Sequence, residues 1–321
     1  MALRPPLPTF RALPALACPP EHPLWVRPAL FIALALGLLL RWHDVGGGTT
    51  ARFRLVAAAG GSFARLADTG TDFAGYPLDA VLMLPLTWLA GSWPAVAGAL
   101  WLAAAGAAMA WLVSAWWGSA LAGTLAGTAW ILALGPTLAL ADTATACALT
   151  LVPLAWGFTL RALERGPLDL LSAVGLSGAC FIVSAPESRS LLLLFAATAG
   201  VAARGPEARR HLAILVGVVA GGVLIAAPAL ALRAEAAVPV PSGVNLLKPW
   251  LVALAALALW PARKQGVKLL LPLCALLAGL GPVRGTAAAA IGLLCIAAGG
   301  VTPLLQLTTR LATRRRGGGN T

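Results

Sequence analysis

Apolar runs of roughly 17 to 25 residues recur along most of this chain, parted by short polar clusters, and that length matches an α-helix crossing a bilayer core. The first predicted span runs from about Leu24 to Trp42. Later spans are predicted at roughly 93–117, 119–140, 143–161, 168–186, 190–203, 211–232, 247–262, 267–283 and 286–307, which makes ten. The expected fold is all-α, a polytopic transmembrane helix bundle. A basic, Pro-rich leader (1–24) precedes the transmembrane domain (25–309), and a basic tail (310–321) follows it.

One long stretch breaks the pattern. Residues 43–93 are polar and hold four of the six aspartates and the single tyrosine. At its centre the chain reads Asp68-Thr-Gly-Thr-Asp72-Phe-Ala-Gly-Tyr76-Pro77-Leu-Asp79. Ala51 to Leu66 mixes Arg52, Arg54 and Arg65 with apolar residues, as segments lying on a membrane surface do. Leu78 to Ala90 is apolar but short for a span.

Charge decides what that short segment does. If it lies flat on the membrane, the cytoplasmic side receives 15 basic and 4 acidic residues and the outer side 8 and 7. If it crosses, every later basic cluster flips outward, against the positive-inside rule. The segment is therefore expected at the outer interface. Both termini are then cytoplasmic and 43–93 becomes an outer loop.

Composition agrees. The chain is 60% hydrophobic and 11% charged, with mean hydropathy +0.87, where soluble domains carry about 25% charged residues. The net charge of +12 sits in short clusters between apolar runs, which excludes a nucleic-acid footprint. The Ala, Gly, Leu and Arg bias fits a GC-rich bacterial genome, so the expected location is the bacterial inner membrane. The five cysteines form no C-x-x-C pair and read as small buried hydrophobes. No P-loop and no G-x-S-x-G is present.

The chemistry is expected on the outer face. A partly desolvated carboxylate there can act as a general base, and neighbouring cations can hold a lipid phosphate. Asp44, two residues past the first span, and Asp72, just before Tyr76-Pro77, are the candidate catalytic carboxylates. Tyr76, Asp68, Asp142, Arg52, Arg189 and Lys248 are candidate substrate contacts. Each aspartate also reads as a solvated loop residue or a cap, and Arg189 and Lys248 as interface anchors. His43 beside Asp44 has no second histidine nearby, so protein ligands alone support no metal site, and the cofactor stays open.

This order of features resembles the GT-C superfamily of polytopic membrane glycosyltransferases, of the protein mannosyltransferase and aminoarabinose transferase type, and the bacterial YfhO type. The matching elements are a basic N-terminus, one span and an outer loop with the early Asp44. Tyr76-Pro77 then opens an interfacial helix ending Leu89 to Ser92; a span ending Leu134 to Pro136 and the acidic Asp142 follow. Ala278 to Pro282 resembles a Leu-Gly-Pro signature of the YfhO type. Val45 follows Asp44 where the family has an Asp-Glu pair, and Tyr-Pro-Pro is reduced to Tyr76-Pro77-Leu78. The resemblance implies a polyprenyl-phosphate-linked sugar donor, a lipid or surface-glycan acceptor, and Asp44 as the base, with Asp72 the alternative. A non-catalytic subunit or lipid-binding assembly protein of the same fold, and a carrier or flippase for a lipid-linked substrate, are the competing expectations.

Overall fold

Proline and glycine mark several helix ends in this chain, although Pro153, Pro228 and Pro272 lie inside helices. A computed structural model describes Phe31 and residues 94–138, 143–165, 167–183, 185–236, 249–262, 267–280 and 287–300. Every regular element among the described residues is a helix. They are α1 (Pro94–Trp117), α2 (Ala120–Leu138), α3 (Thr143–Arg165), α4 (Pro167–Val183) and α5 (Ala185–Ala202). Then come α6 (Ala208–Ala236), α7 (Pro249–Ala262), α8 (Val267–Leu280) and α9 (Ala287–Gly300). Pro94, Pro167 and Pro249 each occupy a first helical position, where a missing N–H costs no hydrogen bond. These helices coincide with the later apolar runs to within a few residues. The largest difference is at α5, which begins at Ala185 and not at about 190; α3 and α6 also run on past their apolar stretches, to Arg165 and Ala236.

α1 and α2 form a tight antiparallel hairpin. Gly118 ends α1 at φ +65°, a conformation that only glycine adopts without strain. Ser119 then caps α2: its Oγ accepts from the Ala122 N–H at 3.3 Å, and its carbonyl accepts from the Gly123 N–H at 3.1 Å. Small residues let the two helices approach closely. A Cβ at Gly127 would press on the Gly106 carbonyl and the Phe31 ring, and one at Gly123 on the Ala110 carbonyl. Phe31, from the first predicted span, is helical and fully buried against this hairpin.

Interhelical contacts fix the direction of the remaining helices. Trp111 of α1 stacks on Phe158 of α3, so the C-terminal halves of α1 and α3 share one end of the bundle. Arg161 near the end of α3 pairs with Asp169 at the start of α4. α4 and α6 run parallel, with Val174 against Gly221 and Gly178 against Gly222 and Ile225. The Trp156 indole of α3 donates to Thr198 of α5 at 3.0 Å inside the core. Trp117 donates to the Cys295 carbonyl of α9 at 2.9 Å, and Ala258 of α7 lies against Gly300. Odd-numbered helices thus run one way and even-numbered helices the other.

One polar contact repairs a backbone defect. Pro272 lies inside α8 and has no N–H for the Lys268 carbonyl four residues earlier. The Trp116 indole of α1 donates to that carbonyl at 3.2 Å. A partly buried backbone group thereby recovers a partner from another helix.

Two segments, Cys147–Glu164 and Ala208–Pro228, are long and apolar enough to cross a membrane. The first is 78% buried by its neighbours and the second only 22%. The outward faces are apolar too: Leu224 and Leu257 are each 76% exposed and Leu277 is 68% exposed. Large apolar patches of that kind mark protein–protein or membrane interaction sites.

Two consequences are measurable by thermal unfolding of the purified chain. Gly127→Val forces α1 and α2 apart and lowers stability by about 1–3 kcal/mol, whereas Gly200→Ala, with open space around its Cβ, leaves it unchanged or slightly raised. Trp116→Phe removes a donor and costs about 1–2 kcal/mol. The double variant Trp116→Phe/Pro272→Ala recovers most of that loss, because an alanine in place of the proline supplies the missing N–H.

Candidate functional site

The bundle has two chemically different ends. At one, α3, α5 and α7 finish and α4, α6 and α8 begin. Arg161, Arg204, Arg209, Arg210 and Lys268 gather there, with Glu164, Asp169 and Glu207 among them. Arg209 and Arg210 are exposed. So is Arg204. Arg210 donates to Glu207 at 2.8 Å on the surface, a pair of little energetic weight. Arg161 is held more firmly. Its guanidinium lies 5.9 Å from the Trp111 ring centre and 5.5 Å from that of Phe158. Its Nε approaches Asp169 Oδ1 at 3.2 Å as an ion pair without hydrogen-bond alignment.

At the opposite end, the α4–α5 hairpin carries the two described charged side chains, Glu187 and Arg189. They belong to a polar interruption, Ser184-Ala-Pro-Glu-Ser-Arg-Ser190, between the apolar stretches 168–186 and 190–203. Glu187 is the third residue of α5 and Arg189 the fifth, so they point to different faces. Arg189 is exposed, whereas Glu187 is 1% exposed, as is Ser190. Ser188 Oγ donates to the Cys180 carbonyl at 3.2 Å and ties the first turn of α5 to α4. The thiol of Cys180 lies within electrostatic reach of both Glu187 and Cys147 of α3. Cys147, Cys180 and Cys295 are buried, Cys274 is half-buried, and none of the four is in a disulfide.

Burial pushes the Glu187 carboxyl from its ordinary 4.5 up to about 7; a hydrogen bond from the Ser190 hydroxyl opposes that rise. Glu187 Oε2 has no hydrogen-bond partner among the described residues. Nor, among those residues, is any group of three or more His, Cys, Asp or Glu side chains placed to hold a metal ion.

Of the residues singled out from the sequence, the structure describes Arg189. It stands exposed in the first turns of α5, at the end opposite the basic cluster. Asp44, Asp72, Tyr76, Asp68, Asp142, Arg52 and Lys248 lie outside the described residues, as do the two expected interfacial segments. In sequence, Asp142 immediately precedes α3 and Lys248 immediately precedes α7, and both helices begin at the Arg189 end. No family model, curated protein or solved structure matches the chain.

In the sequence Glu187 is one of the acidic residues assigned to the outer side. Ser184 and Glu187 have the spacing of a capping box, a sequence signal for a helix start but not for burial of the glutamate.

The displaced carboxyl makes stability depend on pH. The folded chain holds the Glu187 proton more tightly than an unfolded chain does. The resulting stabilisation is complete below about pH 4.5 and is lost as pH rises through about 7. Melting temperatures measured from about pH 5 to about pH 8 are expected to fall for the native chain and to stay flatter for Glu187→Gln. Above pH 7 the variant is the more stable of the two, by up to about 3 kcal/mol.

Proposed function

We propose that this chain is a multi-pass protein of the bacterial inner membrane, with about ten spans and both termini cytoplasmic. On its outer face it moves a sugar from a polyprenyl-phosphate carrier to a lipid or surface-glycan acceptor. The observation that supports this reading is the charge asymmetry between the two ends of an alternating helix bundle. Exposed arginines crowd one end, as the positive-inside rule requires of a cytoplasmic face. The helices that follow the expected outer loop, and those that follow Asp142 and Lys248, begin at the other end, where Arg189 is exposed.

The chemistry follows from the groups assigned to that face. Asp44 takes the proton of the acceptor hydroxyl as its oxygen attacks the anomeric carbon, and Asp72 assists. The bond from that carbon to the carrier phosphate breaks, and the polyprenyl phosphate leaves with the bonding electrons. Arg189 and Lys248 hold the phosphate as its charge grows, the largest catalytic term available to such a site. Arg52, Asp68, Tyr76 and Asp142 are the further candidate substrate contacts.

A second reading is a non-catalytic subunit or lipid-binding assembly protein of the same architecture. The burial of Glu187 favours it, because the one outer-end carboxylate among the described side chains is closed to a substrate.

Replacement separates the two. Asp44→Asn is expected to abolish glycan transfer in cells with the protein still expressed at normal level. Unchanged glycan in both Asp44→Asn and Asp72→Asn cells sinks the enzyme reading. Mass spectrometry of lipids co-purified from the native membrane should show a polyprenyl phosphate whose recovery falls sharply in Arg189→Ala or Lys248→Ala.

A further inference from the structure

The α4–α5 hairpin buries a carboxyl that the proposed transfer does not use. Glu187 is 1% exposed, and the described residues around it supply no countercharge. On its own helix, Arg189 is two residues away, on another face and exposed. α4 and α3 bring the thiols of Cys180 and Cys147 to the same place. α6 and α8, also packed on α5, set no described charged group against it. Among the described residues its polar partner is the Ser190 hydroxyl, and Oε2 has none.

With the partners found among the described residues, an ionised carboxylate there would be a buried unpaired charge, which proteins avoid by neutralising the group. A hard metal cation asks for about six or more oxygen ligands, and among the described residues Glu187 and Ser190 supply too few. A proton needs a single oxygen.

We propose that Glu187 is a proton-binding site, occupied by H⁺ while the hairpin is closed and emptied when the first turn of α5 admits water. Neutral, the carboxyl packs between α3, α4 and α5. Ionised, it needs water, and the Ser188–Cys180 contact that ties the turn to α4 has to give way. Proton release and hairpin opening are thus one event, and Arg189 rides on the segment that moves.

Infrared difference spectroscopy against pH tests this on the full chain in nanodiscs of native lipid. The native protein should show a protonated-carboxyl C=O stretch that disappears as pH rises through about 7. Glu187→Gln should lack it. In Ser190→Ala the band should persist to higher pH, because the hydrogen bond that favours the ionised form is gone. A native spectrum without such a band below pH 7, or a band that Glu187→Gln retains, overturns the proposal. If Glu187→Gln does not fold, Ser190→Ala decides, and an unmoved titration midpoint overturns it. None of these readouts depends on sugar transfer, so the site and the enzymatic function stand or fall separately.

Discussion

Close approach of helix backbones is the interaction on which this bundle depends. Where both faces of a helix meet apolar matter, burying greasy surface gains little, and contact area between helices takes over. Contact area is greatest where side chains are smallest. Gly106, Gly123 and Gly127 bring α1 and α2 together, and Gly178 and Gly222 do the same for α4 and α6. The large residues are kept for the spaces between: Trp130, Trp156, Phe31 and Met109 are among the largest fully buried side chains. The price is intolerance of added methyl groups along these seams.

Polar groups inside such a bundle must find one another. Thr159 and Thr198 return their hydroxyls to carbonyls of their own helices at 2.7 Å, which keeps these polar atoms satisfied without a neighbour's help. Trp156 takes the second capacity of the Thr198 oxygen. Arg161 is settled at the bundle edge by two ring faces and one carboxylate, so its charge is compensated without full burial. Some buried polar atoms find no partner among the described residues: Trp130 Nε1, Ser177 Oγ and Glu187 Oε2, the last on a carboxyl that is half satisfied by Ser190.

Much of the fold was legible in the sequence, because apolar run length and helix length are the same quantity seen twice. The breaks at Gly118-Ser119, Arg165 to Pro167 and Arg204 to Glu207 interrupt both together. The alternation of basic clusters foretold which helix ends would meet. Pairing was not legible. That Trp116 would seek Lys268, or Val174 meet Gly221, depends on packing in three dimensions, which a one-dimensional hydropathy pattern does not carry. The expected site was read from the residue types of 43–93 and a few later positions, and of its members Arg189 alone falls among the described residues. Glu187 is a lone glutamate between two apolar runs, and nothing local marks it as buried. Its burial is a tertiary property, set by the neighbours that α3 and α4 supply.

The adjacent indoles of Trp116 and Trp117 reach 152 and 178 residues ahead in the chain. Synthesis proceeds from the N-terminus, and early segments fold before later ones exist. When α1 is complete, neither acceptor carbonyl has been made. The last turn of α1 therefore waits, with two donors uncommitted, through the synthesis of α2 to α7 before Lys268 emerges, and through α8 as well before Cys295 does. The molecule closes only when its last segments arrive, and a nascent chain stalled short of α8 holds an unfinished surface at the heart of the bundle.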